Sequence, residues 1–138
     1  HLTEVVVSRI VPSAIGICSI SGLLFPGAAG SQSGAHVAVG STGTLLLAPV
    51  APGLLRQIPV ESSTLLHAGE RVAFRPAAGT IALDGEREIV LAAGQEASYT
   101  LRQDGPWIVD VASVMETLAA AGSMRCGQDL LDPDKEAS

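Results

Sequence analysis

The sequence predicts a mostly-β fold: a two-sheet, β-sandwich-like domain with one C-terminal helix. Three observations carry that expectation. Short runs rich in Val, Ile, Thr and Leu recur at spacings of about 8–12 residues, separated by Gly, Pro, Asp and Ser. Only residues 111–121 repeat apolar side chains at helical spacing. Aromatic residues are 3% of the chain against 47% hydrophobic, so small aliphatic side chains must fill the core. Thin packed sheets suit that supply.

The elements follow in order. Residues 3–11 (TEVVVSRIV) are rich in β-branched side chains and read as a strand, broken at Pro12-Ser13. Residues 16–24 alternate Ile17, Ser19 and Ser21 against Cys18 and Ile20, which predicts a second strand weakened by Gly22. Residues 25–35 are small and uncharged and read as a mobile loop. Strands at 36–40 and 44–50 flank Ser41-Thr42-Gly43, read as a hairpin turn. Pro49 and Pro52 make the following stretch an edge or a connection. A strand at 54–60 carries Pro59 within it. Two similar turns, Leu66-His-Ala-Gly-Glu70 and Leu91-Ala-Ala-Gly-Gln95, lead into strands at 71–75 and 97–102. The helix takes Asp110 or Ser113 as its cap and Gly122 as its stop, with Trp107 filling core beside it.

Asp84-Gly85 between apolar runs signals a β-hairpin. A two-residue loop would set Leu83 against Glu86 and Ile81 against Glu88. A three-residue loop, Leu83-Asp84-Gly85, pairs Ala82 with Glu86 and Ile81 with Arg87. It gathers Ile81, Ile89 and Leu91 on one face and gives Gly85 the left-handed position. The second register is favoured. It leaves Glu86 and Glu88 on the opposite face, as a solvated surface or an acid/base pair.

Bulk properties exclude several classes. The net charge is −6 and the eight Lys and Arg are scattered, so there is no basic face for nucleic acid or an anionic membrane. No apolar run reaches the roughly 18 residues of a membrane span, and no signal segment opens the chain, so a cytoplasmic location is expected. Cys18 and Cys126 lack metal-ligand spacing and read as free thiols. His36 and His67 have no ligand partners nearby in sequence and read as structural or exposed. No metal site is expected. The 138 residues read as one β domain, 1–138, with a fraying tail at 123–138. The chain opens on His1 and enters a strand almost at once, which reads as part of a longer two-domain protein.

The stretch Thr80-Ile-Ala-Leu-Asp-Gly-Glu-Arg-Glu88 resembles the Asp-Gly motif in the C-terminal domain of the ATP-NAD kinase family. The likeness is to the branch that includes acetoin catabolism protein X; diacylglycerol and sphingosine kinases carry a related Asp-Gly-Glu. Residues 15–24 (IGICSISGLL), 48–54 (APVAPGL) and 105–111 (GPWIVDV) resemble that branch in the same order. Phe25-Pro26 departs from the Arg-Pro usual there.

The resemblance implies a kinase whose Gly-Gly-Asp-Gly nucleotide motif lies on an N-terminal α/β domain; that motif is absent from this chain, which alone would be inactive. It implies ATP and NAD for the full-length parent, with Mg as a candidate ion, and no cofactor in this domain by itself. The implied partners are the N-terminal domain and further copies of the protein. Asp84 and Glu86 become candidate catalytic residues, and Gly85 and Arg87 candidate cofactor-binding residues. The alternative is a non-catalytic β module that binds a partner or self-associates through exposed apolar strands such as residues 44–47.

Overall fold

In the computed structural model, residues 1–29, 32–74 and 78–123 are described. They group into two compact units, His1–Asp104 and Gly105–Ser138. The mostly-β class with one C-terminal helix holds. Among the described residues the strands form three antiparallel sheets, one of three strands and two of two strands each.

The first sheet organises the N-terminal unit. β1 (Glu4–Val7) pairs with the start of β2 (Gly34–Ala51), which pairs along its length with β3 (Leu54–Leu66). Alternation sends Val5, Val7, Ala35, Val37, Ala48 and Val60 to one buried face, joined by Ile10 and Ile20. On the other face His36 Nε2 lies 2.8 Å from Glu4 Oε2, and its ring meets the Phe74 edge with centroids 6.1 Å apart. His36 is therefore structural, tying β1 to β2 and touching β4 (Arg71–Phe74).

The expected strand at 16–24 is instead a helix, α1 (Ser19–Leu24). Ile20 and Leu24 are four apart and share a face, a helical spacing that the serine alternation masked. Ser19 Oγ donates to Gly16 O and Ser21 Oγ to Cys18 O, so both buried hydroxyls find partners inside the turn. Full burial of Ile20 contributes about 1.5–3 kcal/mol. Gly22 permits the packing: a Cβ there would lie 2.4 Å from Val11 O.

The expected turn at 41–43 is also corrected. β2 runs through it, because Val39 and Thr44 both register opposite Val60. Residues 40–43 form a bulge, and both flanking segments share β3 as partner. Glu61 reaches toward it, and Thr42 Oγ1 donates to Glu61 Oε1 at 3.2 Å. The real β2–β3 turn is at Pro52-Gly53, with Gly53 at φ 73°. β3 continues through Pro59, which this sheet tolerates because β3 is its edge strand.

The paired turn motifs are the same turn twice. Glu70 N–H donates to His67 O at 3.0 Å and Gln95 N–H to Ala92 O at 3.1 Å. Glu70 Oε2 accepts from His67 N–H, and Gln95 Oε1 from Ala92 N–H. Gly69 and Gly94 follow the same course at φ 87° and 83°. These turns lead into β4 and β7 (Ala97–Thr100), which pair with each other.

The second unit holds α2 (Val111–Ala120). Asp110 is the cap: its side chain accepts from Ser113 N–H at 3.2 Å. Ser123 N–H donates to Leu118 O and Gly122 N–H to Ala119 O, a Schellman ending with Gly122 at φ 69°. Trp107, expected to fill core beside the helix, is instead fully exposed. Cys126 and the expected frayed tail beyond Ser123 lie outside the described residues.

Two predictions follow from this packing. Gly22→Ala should lower stability by roughly 1–3 kcal/mol, whereas Gly27→Ala, with open space around it, should be near neutral; urea unfolding of the two variants checks the contrast. Burial raises the Tyr99 pKa above its usual 10.0, offset in part by a hydrogen bond with Ser8. The unfolded chain therefore ionises first. Stability should fall as pH rises through 10 toward the folded-state value, and because Tyr99 is the only tyrosine, tyrosinate absorbance reports it directly.

Candidate functional site

β5 (Gly79–Leu83) and β6 (Arg87–Leu91) carry the candidate residues on their connecting tip. The ladder pairs Ile81 with Ile89, Ala82 with Glu88 and Leu83 with Arg87. The loop has three residues, but they are Asp84-Gly85-Glu86, shifted one place from the expected Leu83-Asp84-Gly85. Leu83 stays in the ladder because it is half-buried on the side of Ile81. The predicted sharing of one face by Ile81, Ile89 and Leu91 is kept, since the shift preserves the parity of the register.

The backbone explains the tip's composition. Asp84 has φ 53° and Gly85 φ 74°, and Glu86 N–H donates to Leu83 O at 3.1 Å. Positive φ at both central residues is the type I′ pattern, for which Asp-Gly is a preferred pair. Asp84 is the one non-glycine with positive φ among the described residues. Asp enters that region at lower cost than most residues because its short side chain bonds locally.

All four candidate residues are exposed. Asp84 Oδ2 and Arg87 Nη2 are 3.9 Å apart, with the two side chains 90% and 74% exposed. That is the outer limit of an ion pair, and in water such a pair is worth about 0–1 kcal/mol. The structure thus brings Asp84 and Arg87 together, and it carries Glu86 off the ladder into the loop, away from the alignment with Glu88 that the expected register required. Gly85 leaves open space around its Cα, so a flat or anionic group can approach the backbone.

Among the described residues no group of three His, Cys, Asp or Glu could hold a metal ion. A second feature is a mainly apolar groove of about 430 Å³ beside the bulge, lined by Leu24, Thr44, Leu45, Leu46 and residues 60–63. Its carboxylate, Glu61, already accepts from Thr42 and was not singled out in the sequence. The bulge that positions it has no signal beyond two glycines, Gly40 and Gly43, flanking Ser41-Thr42. No helix among the described residues is long and apolar enough to cross a membrane.

Comparison with known proteins bears on this arrangement. The family model of the acetoin catabolism protein X C-terminal domain matches residues 1–104. The chain belongs to that family. The matched span holds the whole first sheet, both turn motifs and the Asp84-Gly85-Glu86-Arg87 tip. Acetoin catabolism protein X of Cupriavidus necator is 37% identical over 117 residues, covering 83% of this chain and 33% of the relative. The chain thus spans about a third of the length of the curated relative it matches. No solved structure matches it.

The left-handed backbone at the tip gives a stability prediction. Gly85→Ala should cost about 1 kcal/mol through strain at positive φ. Amide exchange at Glu86, whose N–H closes the turn, should accelerate more than exchange in β2. Unchanged exchange at Glu86 would show that the turn does not need a glycine.

Proposed function

We propose that this family member is the C-terminal β part of an ATP-NAD kinase-like phosphotransferase, and that its Asp-Gly-Glu tip faces a cleft completed by a preceding α/β domain. The observation that carries the reading is the tip itself. Its charged groups are presented to solvent on the turn and make only one long, solvated contact with each other. The left-handed backbone at Asp84 and Gly85 fixes the direction in which they are presented.

The roles follow from chemistry. A phosphoryl transfer to a hydroxyl needs a group to accept the hydroxyl's proton and cations to hold the phosphates. Asp84 or Glu86 supplies the carboxylate. Arg87 pairs with a phosphate oxygen in place of its loose contact with Asp84, and the open backbone at Gly85 admits the nucleotide. ATP is the donor and NAD the acceptor under this reading. A Mg ion would take carboxylate ligands from Asp84 or Glu86 and the remainder from outside this chain, since the tip alone offers too few. The domain is inactive by itself, acts in the cytoplasm and assembles as an oligomer. The curated relative's name associates it with acetoin catabolism, and we extend that setting to this chain.

Asp84→Asn in the full-length protein is the discriminating variant. Asn tolerates the left-handed region nearly as well as Asp, so the turn survives while the charge is lost. The expected result is NAD phosphorylation reduced by a factor of about 100 or more, the scale of a lost general base, with unchanged melting. Wild-type turnover would remove Asp84 from the mechanism. Absence of NAD phosphorylation in the unmodified full-length protein would refute the kinase reading itself.

A further inference from the structure

The distal half of the β2–β3 ribbon has an apolar face that no element of the N-terminal unit covers. Beyond its pairing with β1, which ends at Ala38, β2 runs on from Thr44 to Ala51 against β3. At a rise of about 3.4 Å per residue, that extension projects roughly 25 Å. Its inner face carries Leu46, Ala48 and Ile58 toward the core that α1 covers. Its outer face is built from Leu45, Leu47 and Pro49 on β2, with Pro59, Gln57 and Leu55 opposite them. None of these six residues is charged, and the nearest carboxylate, Glu61, stands at the bulge end beside Leu45. Leu45, Leu47 and Leu55 are 61%, 55% and 57% exposed. Natural sheets put charged or polar side chains on faces left to water, and apolar patches mark surfaces made to be covered.

The structure also indicates which part of the polypeptide is nearest. β1 runs antiparallel to β2, so the chain traced backward from Glu4 heads toward the distal half. Val39 N–H donates to Thr3 O at 2.7 Å, which extends that course to the edge of the bulge. Polypeptide that continues this course ahead of Thr3 would run toward the bulge at 40–43 and the distal half beyond it. The relative's length shows that about two thirds of such a protein lies outside the region matched here, and the matched family is a C-terminal domain.

We infer that the outer face of the distal ribbon, centred on Leu45, Leu47 and Leu55, is the docking surface for the preceding N-terminal part of the same polypeptide. The occupant presents an apolar surface, since an uncharged ribbon face offers few partners to polar groups. This rests on family membership and on the length of the relative. It does not require phosphoryl transfer: a full-length protein with no kinase activity would still cover this face.

Hydroxyl-radical footprinting of the full-length protein, beside the present chain, tests the inference at a dilute and a concentrated level. Leu45, Leu47 and Leu55 should be oxidised readily in the present chain at both levels, and severalfold more slowly in the full-length protein at both levels. Equal oxidation in the two proteins would overturn the inference. So would protection that grows with concentration, which would make a second copy the occupant, or protection already complete in the present chain. A paired variant adds an independent readout. L47K combined with L55K should lower the melting temperature of the full-length protein while leaving that of the present chain unchanged; the opposite pattern would also overturn it.

Discussion

The long β2–β3 ladder is the constraint on which the rest of the N-terminal unit depends. It is one continuous antiparallel pairing from Gly34–Leu66 at one end to Ala51–Leu54 at the other, interrupted by bulges and not by turns. Each attached element uses part of it. β1 borrows the edge of β2 at residues 35–38, α1 lies across the buried face, and Gly16 N–H donates to Pro49 O further along. The bulge at 40–43 lets β2 hold register on both sides while the ribbon adds local twist. Without β3 as a shared partner, residues 36–40 and 44–50 would have only each other, and the hairpin suggested by Ser41-Thr42-Gly43 would be the better solution.

The candidate tip is governed by the opposite condition. β5 and β6 have only five residues each and pair only with one another among the described residues. A two-stranded hairpin is marginal in water, so its order rests on the turn. Asp84 and Gly85 supply that order through two positive φ angles and one backbone hydrogen bond. The charges contribute little to it, because the Asp84–Arg87 contact is long and solvated. Conformation and charge are therefore separable at this tip. The backbone holds the side chains in place, and the side chains remain free for a ligand.

How much of this could be read from the residues differs by element. The Asp-Gly hairpin, the repeated Ala-Gly-Glu/Gln turn and the Asp110-to-Gly122 helix were legible because each depends on local chemistry: a left-handed residue, a side chain bonding to a backbone N–H three residues away, a cap and a stop. α1 was misread because Ile17, Ser19 and Ser21 mimic period two, while the decisive facts are tertiary: a groove at Val11-Pro12 that only Gly22 fits, and a core that accepts Ile20. The bulge was misread because a turn and a bulge draw on the same residues, and only the length of β3 separates them. The tip loop moved by one place, and each cross-strand partner by two, because the sequence does not show that Leu83 is half-buried. The hairpin that carries the candidate residues was thus legible, and the place of Glu86 within its loop was not.

The small aliphatic composition connects these observations. The buried apolar residues of the first sheet's core are Val5, Val7, Ile10, Ile20, Ala35, Val37, Ala48 and Val60, none larger than isoleucine. Meanwhile Leu45, Leu47 and Leu55, each larger than the valines beneath them, stand in water. Each such leucine would contribute about 1.5–3 kcal/mol if fully buried, so three together rival the Val and Ala contributions inside. Leu66, Leu91 and Leu101 are buried, whereas Leu45, Leu47 and Leu55 lie on a projecting ribbon, at the edge toward which the N-terminal strand leads back. The same logic applies to the charges of the tip, whose Asp84–Arg87 contact is long and solvated. Apolar surface and charge are both presented outward, and both are accounted for if the structure's remaining interactions are made with the rest of the longer protein.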